Sequence, residues 1–328
     1  MNAAETGTYA HELIQRFCKR IDTDPSLDWK SMDEDNCKSV MNSIISDTIL
    51  RIDDSDLNGK EMAADILTRM GDTVTKAAST LLKSIQCGSF IPCEYEKTIS
   101  VSLNDNIELG GIIDRLDLCS HNGVNEYRII DYKTGNKDFK VSEIYNGINM
   151  QPVIYALAMR MLDDKATISG MYYSMMHNDY ARVGVTSRDT TIASSLAKNT
   201  EFHGVSFVGH DMDLPIPEEE INRIENEYSR INNGIFISSK KDEVTYGKSL
   251  KTRPQGELLM EMVRDKILSM DKEIRGGNIE ISPLSTGSNT PCTFCEFSDA
   301  CKFDDSVKKN RQAEEKDEQV WEFLEEDR

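Results

Sequence analysis

Residues 110–133 read Gly-Gly-Ile-Ile-Asp-Arg-Leu-Asp-Leu-Cys-Ser-His-Asn-Gly-Val-Asn-Glu-Tyr-Arg-Ile-Ile-Asp-Tyr-Lys. Their middle carries Asn122-Gly123, a strong signal for a two-residue hairpin loop, because both loop positions must tolerate positive φ. Such a loop pairs residue 121 with residue 124, so facing residues sum to 245. Asp114 and Asp131 then stand directly opposite each other, and Lys133 projects from the same face. Two carboxylates with Cβ atoms ~5 Å apart repel each other unless something positive lies between them. The same register sets Leu116 against Ile129 and Leu118 against Tyr127, so the acidic pair ends an otherwise apolar stripe. Charges at the end of a core-facing stripe are rarely solvated decoration. A divalent cation is the natural candidate to hold them.

The composition bounds the setting. A chain of 328 residues with 38% hydrophobic and 29% charged side chains can bury one large core or two modest ones. No apolar run approaches the ~20 residues that span a bilayer. The opening Met-Asn-Ala-Ala-Glu-Thr-Gly lacks the basic and apolar regions of a signal peptide, so a cytoplasmic protein without a membrane partner is expected. A net charge of −19 excludes broad, non-specific affinity for nucleic acid. It leaves room for a local basic groove, or one supplied by a partner. Acidic runs at 31–35, 53–56, 217–220 and 314–327 read as solvated surface.

Outward from the hairpin, hydrophobic periodicity predicts helices over 6–20, 36–52 and 60–86 and strands over 94–103 and 107–119, the hairpin returning the chain to 133. A Met-rich helix is expected over 143–163, with Pro152 in its first turn or marking a kink. A strand over 167–176 and helices near 217–233 and 253–275 follow. The order helix, three strands, helix, strand defines an α/β core, a central mixed sheet flanked by helices with helical insertions. The expected divisions are a helical part over 1–90 carrying His11, a core over 91–180, an extension over 181–285, a cysteine segment over 286–306 and an acidic tail over 307–328.

Cys292-x-x-Cys295-x5-Cys301 places three of eight cysteines within ten residues. Soft thiolates at that spacing suit an iron–sulfur cluster or zinc, in a structural role. Three ligands leave a four-ligand site incomplete, and Cys18, Cys37, Cys87, Cys93 and Cys119 all remain open as the fourth. Gln151 and Tyr155, four apart, share one helix face and could orient a phosphate or an attacking water. His11 joins them only if its helix reaches the hairpin.

These segments carry a resemblance. Gly-Thr-Tyr-Ala-His-Glu (7–12), Gly-Gly-Ile-Ile-Asp-Arg-Leu-Asp (110–117), Ile-Asp-Tyr-Lys-Thr-Gly (130–135) and Gln151-x3-Tyr155 resemble the RecB-like branch of the PD-(D/E)XK nucleases. Residues 137–151 and 282–304 are similar to the C-terminal nuclease domain of the B subunit of AddAB helicase–nucleases. The resemblance implies a restriction-endonuclease-like core and a DNA exonuclease acting at ends during recombinational repair, beside a helicase–nuclease A subunit. It implies that His11, Asp114, Asp131 and the Tyr132 carbonyl hold Mg²⁺ or Mn²⁺, and that Lys133 is the catalytic lysine. Gln151 and Tyr155 would complete the nuclease motifs, and Cys292, Cys295 and Cys301 would bind a [4Fe-4S] cluster. In that family the first cluster cysteine lies upstream of the Gly-Thr-x-x-His helix, whereas six residues precede Gly7 here. The expectation is therefore a nuclease domain, a fragment or a divergent gene, whose cluster is incomplete or completed by another thiol and to which unwinding is not assigned. Two other readings are a non-catalytic DNA-end-binding module stabilised by its cluster and a free-standing iron–sulfur exonuclease. The intact Asp-x-Lys favours an enzyme, since a binding module need not keep that lysine.

Overall fold

A computed structural model describes residues 3–51, 57–121, 123–135, 137–176, 202–208, 238–240, 243–245, 250–285, 290–303, 311–313 and 316–326. Three helices open the chain: α1 (Ala3–Thr23), α2 (Glu34–Leu50) and α3 (Leu57–Cys87). Asp33 caps α2, its carboxylate accepting the Asn36 N–H at 2.7 Å, a use of Asp suited to the unpaired amides of a helix start. Strands β1 (Ile91–Asn104), β2 (Ile107–His121) and β3 (Val124–Lys133) follow. Short α4 (Val141–Tyr145) and α5 (Gln151–Leu162) then lead to β4 (Thr167–Met175). Beyond it come β5 (Phe202–Val208), β6 (Leu250–Thr252) and the long α6 (Arg253–Arg275).

The six strands form one mixed sheet in chain order, β1 to β6, with β3–β4 and β5–β6 parallel and the other pairs antiparallel. The parallel β3–β4 pair requires a crossover, and α4 and α5 supply it. One face of the sheet packs on α1–α3 through Leu13, Phe17, Met41, Leu67, Ile130 and Tyr172. The other packs on α5 and α6 through Ile113, Leu116, Ile129, Val153, Met171 and Leu259. Each such buried side chain contributes roughly 1.5–3 kcal/mol relative to exposure, so two apolar layers hold the sheet between them. Thr252 and Gln255 form a reciprocal capping box at the start of α6.

The hairpin register is as expected. Gly123 takes φ +79°, His121 faces Val124, and Leu116 faces Ile129 and Leu118 faces Tyr127. Two expectations are corrected. The helix over 143–163 is broken into α4 and α5, because Gly147 (φ +83°) and Asn149 (φ +56°) leave the helical region between them. Asn149 is held there by the Lys137 ammonium, which donates to its side-chain oxygen, and Pro152 lies in the first turn of α5. The acidic tail is not wholly solvated. Asp317–Glu326 form a helix that buries Val320 and Trp321 against α6, and Asp317 accepts the Ser142 N–H at 2.8 Å. An apolar stripe of Val320, Trp321 and Leu324 outweighs the surrounding acids. The helix expected near 217–233 lies outside the described residues. Among the described residues, no helix is long and apolar enough to cross a membrane.

Candidate functional site

Four elements converge where β3 ends. The strand itself presents Asp131 and Lys133 two residues apart, hence on one face. Asp131 is 1% exposed, and the Lys133 ammonium makes an ion pair with its Oδ2. On β2, the ladder to β3 stops at Arg115–Ile130, one step before Asp114 would face Asp131. In place of that step, the Tyr132 N–H donates to Asp114 Oδ2 at 2.7 Å. The expected facing pair is thus replaced by a side chain that enters the ladder as an acceptor. The Asp131 charge helps raise the Asp114 pKa, but Asp131 is not in the group of His11, Glu96 and Asp114 whose donor atoms lie within 4.8 Å of one another.

Helix α1 brings His11 from 121 residues away. Its Nε2 donates to the Tyr132 carbonyl at 2.9 Å, and its Nδ1 lies 3.5 Å from Asp114 Oδ2. With the proton assigned to Nε2 by that bond, Nδ1 carries the lone pair that faces the acids. The Tyr132 carbonyl is therefore engaged by His11. From the other side, the first turn of α5 supplies Gln151. Lys133 Nζ lies 3.5 Å from Gln151 Oε1, and Gln151 Nε2 donates to the Tyr155 hydroxyl at 2.8 Å. Gly111 makes room for that phenol, because a Cβ there would come within 2.7 Å of the Tyr155 ring. Beside this relay a cavity of about 420 Å³ is lined by Gly110, Lys137, Asn149, Gln151, Tyr155 and Tyr173.

The structure adds a residue that sequence reasoning missed. Donor atoms of Glu96 on β1, His11 and Asp114 lie within 4.8 Å of one another. Alternation along Tyr-Glu-Lys gave Glu96 no distinction from its neighbours, which are half-buried as it is. One imidazole and hard carboxylate oxygens, gathered at that range, fit Mg²⁺ or Mn²⁺. The cysteines behave differently. Cys292 is half-buried, Cys295 and Cys301 are exposed, and the adjoining Phe294 is 91% exposed. Among the described residues they do not gather into one ligand group. Cys18, Cys37 and Cys119 are buried elsewhere.

Burial pushes the Asp114 carboxyl from 3.8 up to about 6; His11 opposes the shift, Asp131 adds to it, the Tyr132 N–H opposes it and Glu96 adds to it. A folded carboxyl that holds its proton more tightly than the unfolded one costs stability above pH 6. That cost fades as the pH falls through 6 toward 3.8. In chelator near neutral pH, Asp114→Asn is therefore expected to stabilise the cation-free protein by on the order of 1–3 kcal/mol. The amide keeps an oxygen for the Tyr132 N–H. Urea midpoints in EDTA across the acid range would check this, and a variant less stable than the parent at neutral pH would contradict it.

The mixed sheet with helices on both faces fits one nuclease class. The family description matching residues 1–302 is the PD-(D/E)XK nuclease superfamily, and the chain belongs to it. It is similar to the B subunit of the ATP-dependent helicase/deoxyribonuclease of Clostridium kluyveri, 27% identical over 346 residues, covering 99% of this chain and 29% of the relative. The B subunit of that name in Clostridium acetobutylicum is 29% identical over 340 residues, covering 98% of this chain and 29% of the relative. A Clostridium botulinum relative of the same name is 28% identical over 351 residues, with 98% and 29% covered. The chain thus spans about 29% of the length of these relatives.

Proposed function

We propose that this chain is a divalent-cation-dependent deoxyribonuclease domain that processes DNA ends. The observation that carries the reading is the meeting of Asp131, paired to Lys133, with Asp114 and His11 at the end of one strand. Family membership supports hydrolysis of a phosphodiester, and the relatives' names support DNA as substrate and a helicase subunit as partner.

Asp114, Asp131 and His11 would hold Mg²⁺ or Mn²⁺, with the Tyr132 carbonyl in reach. A cation so held supplies Lewis acidity at a phosphate oxygen and lowers the pKa of a bound water. The protein's own groups do the rest. Lys133 is placed to orient the attacking water or to donate to the charge that develops on phosphorus-bound oxygen. Gln151, steadied by Tyr155, gives the lysine a second anchor besides Asp131. The Lys137 ammonium at the neighbouring cavity is suited to the next phosphate of the strand.

We also propose Cys292, Cys295 and Cys301 as three ligands of a [4Fe-4S] cluster, or of zinc, completed by another thiol. Their spacing supports this; no catalytic step depends on it. Absorption spectra of anaerobically purified protein, with iron and zinc analysis, test the cysteine assignment. For the nuclease, end-labelled single strands and duplexes would be incubated with Mg²⁺, Mn²⁺ or EDTA. Cation-dependent cleavage is expected, and its absence at all substrates and both ions would remove the proposal.

A further inference from the structure

We propose that Glu96 is a cation ligand, and that the left-handed backbone at this residue is what turns its carboxylate into the site. The inference rests on the nuclease reading for the location of the cation, and on the strand geometry for everything else.

Glu96 has φ +49° in the interior of a fourteen-residue strand. Among the described residues only Asn149 and Lys302 share such a conformation without being glycine. Asn tolerates it, and Lys302 ends a short helix. For Glu, with a long side chain and a strand on either side, the conformation is costly and persists only where surrounding structure imposes it.

The cost has a visible effect on the ladder. Tyr95 pairs with Arg115 and Lys97 with Ile113, and the step between them, Glu96 with Asp114, is missing. Residues two apart on a strand should share a face. Here they do not. Tyr95 packs on the α1–α3 side, where its hydroxyl donates to Asp22 at 2.8 Å, whereas Ile113, which faces Lys97 across the ladder, packs on the α5 side. Both strands change face at the two acids, and both acids thereby turn toward His11.

The turned carboxylate lacks a compensating charge. Among the described residues Glu96 has no hydrogen-bond or ion-pair partner, while the nearby Lys97 is committed to Glu94 at 2.8 Å. A half-buried carboxylate beside Asp114, without a cationic side chain of its own, is repelled by its neighbour. A bound cation removes that repulsion, and it gives the strained conformation a function.

The test uses the whole chain, stripped with EDTA and titrated with Mn²⁺ by calorimetry in the absence of DNA. Glu96→Gln keeps the shape and removes the charge; Glu96→Gly removes the ligand and releases the backbone. Both variants are expected to bind Mn²⁺ about ten- to a hundred-fold more weakly than the parent, the scale on which a metal site loses affinity when a supporting group is removed. In EDTA, Glu96→Gly is expected to unfold at a higher temperature than the parent, and Mn²⁺ should raise the parent's midpoint more than either variant's. Parental Mn²⁺ affinity in Glu96→Gln, or no Mn²⁺ binding by the parent, overturns the ligand assignment. A glycine variant that unfolds no higher than the parent in EDTA overturns the role given to the backbone. A parent that binds Mn²⁺ but cleaves no DNA would defeat the nuclease reading while leaving Glu96 in place.

Discussion

Lys133→Ala and Asp131→Asn are each expected to slow DNA cleavage by roughly a thousand-fold or more, with the fold retained. In the proposed reaction the two side chains would do different work from one short segment. Asp131 is buried, and the Lys133 ammonium makes an ion pair with it. Lys133 Nζ also lies 3.5 Å from Gln151 Oε1, so a lysine that shared Asp131 with a cation would keep a second partner. Removing the lysine should therefore depress the chemical step more than DNA or cation binding. Removing the charge of Asp131 should depress cation binding as well. Single-turnover cleavage of an end-labelled oligonucleotide, with Mn²⁺ titration and circular dichroism on both variants, separates these effects. Parental turnover in either folded variant would end the assignment of these residues.

Arg115→Ala should have the largest effect on stability, a loss of about 3–5 kcal/mol. The guanidinium is 1% exposed; its Nε lies 2.8 Å from Asp117 Oδ1 and it donates to the Tyr132 hydroxyl at 2.7 Å. Burial alone would depress the Arg115 pKa, but Asp117 and its other neighbours hold it above the ordinary range, so the charge persists in the interior. Truncation would leave Asp117 buried with less than its full compensation, and a void beneath Tyr132. The double change Arg115→Met with Asp117→Leu should recover most of the loss, because a packed apolar pair replaces a desolvated ionic one. Guanidinium unfolding of the three proteins measures this. A single-variant cost below about 1 kcal/mol would show that the pair contributes little. The arrangement also bears on chemistry, since Arg115 and Tyr132 are chain neighbours of Asp114 and Asp131. The lock on one face of the sheet positions the acids at its other end.

Much of this was legible in the residues themselves. Asn122-Gly123 set a loop length, the loop length set a register, and the register placed Leu116, Ile129, Asp131 and Lys133 on one surface. That logic failed at its last step because it assumes regular alternation. Asp114 accepts a main-chain N–H instead of pairing, and Glu96 reverses its backbone, and neither event leaves a trace in the pattern of apolar and polar letters. The interruption before α5 did leave one, in Gly147 and Asn149, but Met-rich periodicity on both sides concealed it. The docked helix at 317–326 was hidden by its acids, which lie around Val320 and Trp321. His11 could be proposed only through resemblance, because no local spacing reports a contact over 121 residues.

The contact between His11 and Tyr132 closes a span of 121 residues. Synthesis delivers the histidine more than a hundred residues ahead of the lysine, and contacts so distant form only after the intervening strands have assembled. Until those strands have assembled, the side chains proposed as ligands are not brought together. The site is thus closed only when the end of the third strand meets the first helix.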